Sequence, residues 1–116
     1  MPLFRRILGL FTARGKSLAR YRAGMEKAKA KDYQGAIADY TAVIDAANTP
    51  ADVQAMATYN RALAYSALHE EALAEEDLST ILNRPDLPED IKVAAQQRRE
   101  RLLRRKRREG VRDETM

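Results

Sequence analysis

The stretch that decides the fold is Lys31–Ile44, which reads KDYQGAIADYTAVI. Its first residues are polar and include Gly35, as is typical of a tight turn before a helix. Small residues and then large ones follow at helical spacing, at Ala36, Tyr40 and Ile44. The stretch therefore predicts a turn followed by a helix with one packing face.

A degraded copy of this stretch lies 38 residues further along the chain. The identities at that offset include Ala19/Ala57, Tyr21/Tyr59, Ala36/Ala74, Asp39/Asp77, Pro50/Pro88, Asp52/Asp90 and Ala57/Ala95. The close exchanges are small for small or large for large, and include Gly24/Ala62, Tyr40/Leu78, Val43/Ile81 and Ile44/Leu82. Self-similarity at this period indicates a solenoid, in which small residues allow helices to approach and large ones fill the space between.

Composition agrees with an all-α domain. The 116 residues are 45% hydrophobic and 33% charged, with only five glycines and four prolines. That balance fits one small folded domain in which helices are favoured. The absence of cysteine excludes disulfides and thiolate chemistry and is compatible with a reducing compartment.

Capping signals predict where the helices begin and end. In the following ranges the first residue is the one that signals the start of the helix. The predicted helices are Ser17–Ala30, Asp32–Ala47, Thr49–Leu68, a helix from near His69 to Leu82, and Pro88–Gly110. The predicted organisation is an amphipathic segment over 1–15, repeats over 16–48 and 49–86, a basic helix over 87–109 and a flexible tail over 110–116.

The first residues predict a short amphipathic helix, with Arg5 and Arg6 opposite one apolar face. That face consists of Leu3, Phe4, Ile7, Leu8 and Phe11. Three interpretations stay open: a cap on the first repeat, a membrane-surface anchor, or an organellar transit peptide. The runs are too short to span a bilayer, so a cytoplasmic location is expected, with a peripheral membrane location as the alternative.

Charge is segregated along the chain. Residues 1–31 sum to +8, residues 32–90 to −10 and residues 91–116 to +6. The last helix carries Arg98, Arg99, Arg101, Arg104, Arg105, Lys106, Arg107 and Arg108. It reads either as the solvated end of a solenoid or as a contact for the phosphates of nucleic acid or anionic lipid. The missing aromatic residues disfavour stacking on single-stranded bases.

The repeat resembles the tetratricopeptide repeat (TPR) family. The segment 32–40 is similar to the family's turn and second-helix signature, and the segment 59–65 to its first-helix signature. The chain departs from the family in a period of 38 rather than about 34 residues. Arg20 and Arg61 also stand where the family has Trp and Leu. The resemblance covers 17–103 and implies a short right-handed α-solenoid of two antiparallel hairpins plus a C-terminal helix.

The same resemblance implies a function. In this family the first helix of each hairpin lines a concave groove that binds extended peptides or partner helices. The implied groove residues here are Tyr21, Arg22, Met25, Lys29, Tyr59, Asn60, Leu63, Gln97, Arg98 and Arg101. Of the family's clamp for a peptide carboxylate, only Asn60 and Arg98 are matched.

No residue pattern predicts catalysis, a metal or a cofactor. His69, the only histidine, is predicted to lie exposed at a turn, and the acidic run 70–77 matches no calcium-loop spacing. The expected function is therefore a non-catalytic adaptor that binds a protein or peptide, with an acidic partner suited to the basic groups. The alternative is a protein that contacts anionic membrane or nucleic acid through its basic ends.

Overall fold

The computed structural model describes residues 12–115 and contains, over that range, α-helices and no strands. The five helices are α1 (Ala13–Lys29), α2 (Tyr33–Asp45), α3 (Ala51–Ala67), α4 (Glu71–Leu82) and α5 (Glu89–Thr115). They hold 82% of the described residues. The predicted all-α class is therefore confirmed. The predicted apolar face over residues 3–11 lies outside the described residues.

The helices pack in two layers. Each helix contacts the next one along the chain, and α3 also contacts both α1 and α5. In the part of the chain that the structure describes, the backbones of α2 and α4 are not in contact with each other. The odd-numbered helices thus form one layer with α3 at its centre, and α2 and α4 lie apart in the other layer. This arrangement is consistent with a short helical-repeat solenoid.

The turns within the two hairpins repeat each other at the backbone level. Lys31 and His69 have positive φ angles of 64° and 60°, and they are 38 residues apart. The next amide donates back to the preceding helix in both turns, from Asp32 to Lys27 O (2.8 Å) and from Glu70 to Tyr65 O (2.9 Å). A left-handed residue followed by such a bond satisfies carbonyls at a helix end.

The two hairpins bury equivalent residues in two neighbouring clusters. The first cluster consists of Ala36, Tyr40, Val43, Val53 and Ala57. The second consists of Ala55, Ala62, Ala74, Leu78, Ile81, Leu87, Ala95 and Leu102. Ala36 and Ala74, Tyr40 and Leu78, and Val43 and Ile81 are each at most 2% exposed, so the repeated positions are core positions.

Each hairpin also buries one carboxylate against arginine. Asp39 is 3% exposed, with Arg20 Nε 2.7 Å from Oδ1 and Lys27 Nζ 2.9 Å from Oδ2, although Oδ2 accepts no hydrogen bond. Asp77 is 5% exposed and accepts from Arg61 through both oxygens, at 2.9 and 2.7 Å. Arg20 and Arg61, two residues at which the chain departs from the TPR pattern, therefore neutralise Asp39 and Asp77, which are equivalent in the two repeats.

Two predicted caps are wrong. Thr12, rather than Ser17, begins α1, because its hydroxyl accepts from the Gly15 amide at 3.0 Å. Ser17 is instead buried in α1, with its hydroxyl 3.2 Å from that of Thr49. Thr49 in turn donates to Val43 O at 2.7 Å, so its hydroxyl ties α2 to the loop and does not cap α3.

The predicted stop at Gly110 is also wrong, because α5 continues to Thr115. Gly110 does not adopt a positive φ, which a glycine stop would require. A glycine inside a helix costs only about 1 kcal/mol relative to alanine, and charged residues with good helix propensity precede it. The predicted tail over 110–116 is therefore helical through Thr115, and residues 13–15 belong to α1 rather than to the N-terminal segment.

Tyr40 makes stability depend on pH in the alkaline range. Burial, aided by the Tyr21 and Asp39 charges, raises the pKa of Tyr40 from 10.0 to about 12. The folded state thus favours the neutral phenol, and this stabilisation is complete below about pH 10 and lost as the pH rises towards 12. Tyr40→Phe should remove the effect.

We expect the free energy of unfolding of Tyr40→Phe to match that of the wild type at pH 8. At pH 11 the variant should be more stable, by about 0.5–1 kcal/mol after allowance for solvent screening. Urea unfolding followed by circular dichroism at both pH values measures the difference. An identical loss in both proteins would mean that Tyr40 does not titrate in this range.

Candidate functional site

Helices α1, α3 and α5, together with the first residue of α2, line one cleft. Its volume is about 410 Å³, and α3 forms its floor between α1 and α5. The lining residues are Ala28, Tyr33, Asn60, Leu63, Ala64, Ser66, Ala67, Arg98 and Arg105. The lining combines apolar side chains with polar and charged ones, so it offers contacts to both kinds of ligand group.

Asn60 is held by two hydrogen bonds. Its Nδ2 donates to Tyr21 Oη at 2.6 Å and to Met56 O at 3.0 Å. Because a backbone carbonyl only accepts, the Met56 bond fixes which way the amide points. Both amide protons are therefore committed within the protein. A ligand in the cleft meets Asn60 only through Oδ1, an acceptor, so Asn60 cannot donate to a carboxylate as the family's clamp would require.

Tyr21 and Met25, predicted to line the groove, pack into the first core cluster instead. The Tyr21 ring lies 5.9 Å from the Tyr40 ring, centroid to centroid, at an angle of 43°. Burial raises the pKa of Tyr21, and the Asn60 hydrogen bond opposes that rise. These two side chains support the cleft from below and do not line it.

The remaining predicted groove residues divide in two. Asn60, Leu63 and Arg98 line the cleft together. The others do not line it: Tyr59 packs against the second cluster, Lys29 pairs with Glu26 at 3.2 Å, and Arg22, Gln97 and Arg101 are exposed.

Tyr33 and Arg105 line the cleft although the sequence did not assign them to the groove. Arg105 lies seven residues after Arg98, two helical turns along the same face, so the spacing could have found it. Tyr33 is the first residue of α2, and only the packing of α2 beside α3 brings it there. No local pattern signals such a position.

The two arginines of the cleft differ in their partners. Arg105 is near Glu71 (3.6 Å), Glu109 (3.4 Å) and His69 Nδ1 (3.1 Å). Arg98 is half-buried and makes no ion pair or hydrogen bond with the part of the chain that the structure describes. Its guanidinium is therefore the cationic group that remains open to a ligand in the cleft.

Residues 12–115 contain no cluster of His, Cys, Asp or Glu side chains arranged to hold a metal ion. No helix among them is both long enough and apolar enough to cross a bilayer. Comparisons with family models, with curated proteins and with solved structures found no match. Function is therefore inferred from the cleft and the charges around it.

Proposed function

We propose that this protein is a non-catalytic interaction module of the TPR type that binds an extended segment of a partner protein in the cleft. The observation that carries the proposal is the convergence of α1, α3 and α5 on one lined cleft. The resemblance to the TPR family supports it, because first helices of successive hairpins line the groove there. A cytoplasmic location is part of the proposal, with peripheral membrane attachment through the N-terminal segment as the alternative.

The chemistry of the cleft suits an acidic segment. Leu63, Ala64 and Ala67 offer an apolar floor to aliphatic side chains, and Arg98 stands at the edge without a counterion. Arginine binds a carboxylate through two parallel hydrogen bonds, which fixes its orientation as well as its charge. The Ser66 hydroxyl and Asn60 Oδ1 can accept hydrogen bonds from the partner's backbone amides.

A carboxylate placed in the cleft should block binding. Leu63→Glu puts a negative charge on the floor beside Arg98. This charge repels an acidic ligand, and it pairs with the Arg98 guanidinium that the ligand's carboxylate would otherwise bind. We expect peptides selected on the wild type from a random library to be acidic, and to bind Leu63→Glu at least about tenfold more weakly, or 1.4 kcal/mol. Fluorescence anisotropy with the labelled peptides measures the affinities.

Leu73→Glu is the matched control, because Leu73 is 41% exposed on α4 in the other layer. It should bind within about twofold of the wild type, and circular dichroism should show both variants folded. Arg98 is half-buried and has no partner among the described residues. Arg98→Glu should therefore weaken the binding of acidic peptides as Leu63→Glu does. Equal binding by wild type, Leu63→Glu and Arg98→Glu would show that the cleft is not the binding site.

A further inference from the structure

Helix α5 extends well beyond the helix that supports it. It has 27 residues and is about 40 Å long, whereas α4 has 12 residues and is about 18 Å long. Its buried positions end at Leu102, and Lys106 still pairs with Glu75 of α4 at 3.1 Å. All side chains from Arg104 to Arg112 are exposed. The second half of α5 therefore presents its surface to solvent.

One side of this helix carries a row of arginines, the arginine stripe, which consists of Arg98, Arg101, Arg105, Arg108 and Arg112. Their spacing of three and four residues keeps them on one face. The row is about 21 Å long at 1.5 Å per residue. Two shallow depressions follow it, one among Arg101, Arg104, Arg105 and Arg108, the other among Arg105, Arg108, Glu109 and Arg112.

Most of the charge of the stripe is not neutralised by the rest of the protein. Of its members, Arg105 is paired with Glu71 and Glu109, and Arg112 also makes an interaction within the chain. Arg101 and Arg108 make no ion pair or hydrogen bond with residues 12–115. Asp39, Asp77 and Glu75 are engaged with other cations. The guanidiniums of Arg98, Arg101 and Arg108 are therefore open to an anion from outside the chain.

The shape of the stripe selects the kind of anion. Insertion into a membrane surface needs a continuous apolar face, but beyond Lys106 the described apolar side chain is Val111 alone. The helix has no aromatic residue to stack on unpaired bases. A straight row of guanidiniums on a helix matches regularly spaced phosphates, and the major groove of duplex DNA is wide enough to admit a helix.

We infer that the arginine stripe of α5 binds double-stranded nucleic acid through its phosphates. Phosphate contacts carry no sequence information, so binding is independent of sequence. The stripe shares Arg98 and Arg105 with the cleft, but Arg101 and Arg108 do not line it. Substitutions at Arg101 and Arg108 therefore test the stripe without changing the cleft.

The test uses the full chain and duplexes of mixed sequence, one of DNA and one of RNA, titrated at several salt concentrations between about 50 and 200 mM. Phosphate contacts from Arg98, Arg101 and Arg108 predict a slope of log K against log salt of about −3. Arg101→Glu/Arg108→Glu should reduce the magnitude of that slope by about 2 and weaken binding at low salt by at least tenfold.

The control variant is Lys16→Glu/Arg107→Glu, which changes the net charge equally at two exposed residues outside the stripe. It should bind within about threefold of the wild type at the same salt concentration. Binding to either duplex with this pattern supports the inference, and the two arms show whether DNA or RNA is preferred.

Three results would overturn the inference. One is an equal loss of duplex affinity in the stripe variant and in its control, which would indicate that net charge alone determines binding. Another is duplex binding that does not change with salt. The third is binding to vesicles containing about 30% anionic lipid without binding to either duplex, which would assign the stripe to a membrane surface.

Discussion

Gly24→Ala is expected to destabilise the wild-type protein but to stabilise a Tyr40→Leu variant, so that the effect of one methyl group changes sign. Gly24 is buried within α1, and a Cβ added to it would lie 2.7 Å from Cε1 and 2.9 Å from Cδ1 of Tyr40. The ring cannot retreat easily, because Tyr40 is 1% exposed within the first core cluster. At the equivalent positions of the second hairpin the chain has Ala62 and Leu78, which pack without this conflict.

The magnitudes decide the sign. Overpacking a dense core costs up to about 3 kcal/mol, which exceeds the gain of about 1 kcal/mol when alanine replaces glycine in a helix. Gly24→Ala alone should therefore lower the free energy of unfolding by about 1–2 kcal/mol. Tyr40→Leu alone leaves a cavity and should cost about 2–4 kcal/mol. Adding Gly24→Ala to Tyr40→Leu fills part of that space and should restore about 1 kcal/mol.

Urea unfolding of the wild type, both single variants and the double variant gives the coupling energy directly. Gly110→Ala is the matched control, since nothing lies within 4 Å of its added Cβ and only helix propensity changes. It should not destabilise the protein. If Gly24→Ala changes stability by the same amount in both backgrounds, the Gly24–Tyr40 contact does not limit the packing of α1 on α2.

The fold was largely predictable because its determinants are local. The spacing of Ala36, Tyr40 and Val43 specifies one face of a helix, and its return at Ala74, Leu78 and Ile81 specifies a second such helix. Helical geometry alone relates sequence position to face, so no knowledge of distant contacts is needed. The handedness of the solenoid and its membership of the TPR family stay predictions.

The errors concern residues whose partners are far away in the sequence. Ser17 and Thr49 are of the residue types that often cap helices. Their hydroxyls instead contact each other, 32 residues apart in the sequence, because α1 packs beside the α2–α3 loop. A buried hydroxyl takes the acceptor that packing provides, and a local capping rule cannot anticipate it. Arg20 and Arg61 illustrate the same limit, since their role appears only with Asp39 and Asp77 in place.

The candidate site was predicted in part for a related reason. Asn60, Leu63 and Arg98 were assigned by register and do line the cleft. Tyr21 and Met25 were assigned in the same way, but they pack against the first core cluster. The sequence could not predict that the Asn60 amide already donates a hydrogen bond within the protein, because its partner, the Tyr21 hydroxyl, lies 39 residues away in the sequence.

The last expected result concerns the buried ion pair between Arg61 and Asp77, which joins three helices. Arg61 holds Asp77 of α4 through two hydrogen bonds and Thr41 of α2 through a third, at 3.1 Å. The Asp77 hydrogen bond is the main cause that raises the pKa of Arg61. Asp77→Ala leaves a half-buried guanidinium without its counterion, and we expect a loss of about 3–5 kcal/mol in the free energy of unfolding.

Arg61→Leu should be similarly costly, because it leaves the Asp77 carboxylate buried and unpaired. The double variant Arg61→Leu/Asp77→Ala removes both charges and should cost at least about 2 kcal/mol less than the sum of the single variants. Leucine at position 61 is also the residue that the TPR resemblance predicts there. The double variant therefore tests whether the pair replaces an ordinary apolar contact between α3 and α4.

A surface pair of the same geometry provides the control. Arg84 contacts Asp86 through two hydrogen bonds at 3.1 and 2.7 Å, but the Asp86 side chain is 52% exposed, against 7% for Asp77. Water screens the exposed pair, so Asp86→Ala should destabilise the protein far less than Asp77→Ala in the same urea titration. A loss for Asp77→Ala no larger than that of Asp86→Ala would mean that water reaches Arg61 once its partner is removed, and that the pair does not hold α3 and α4 together.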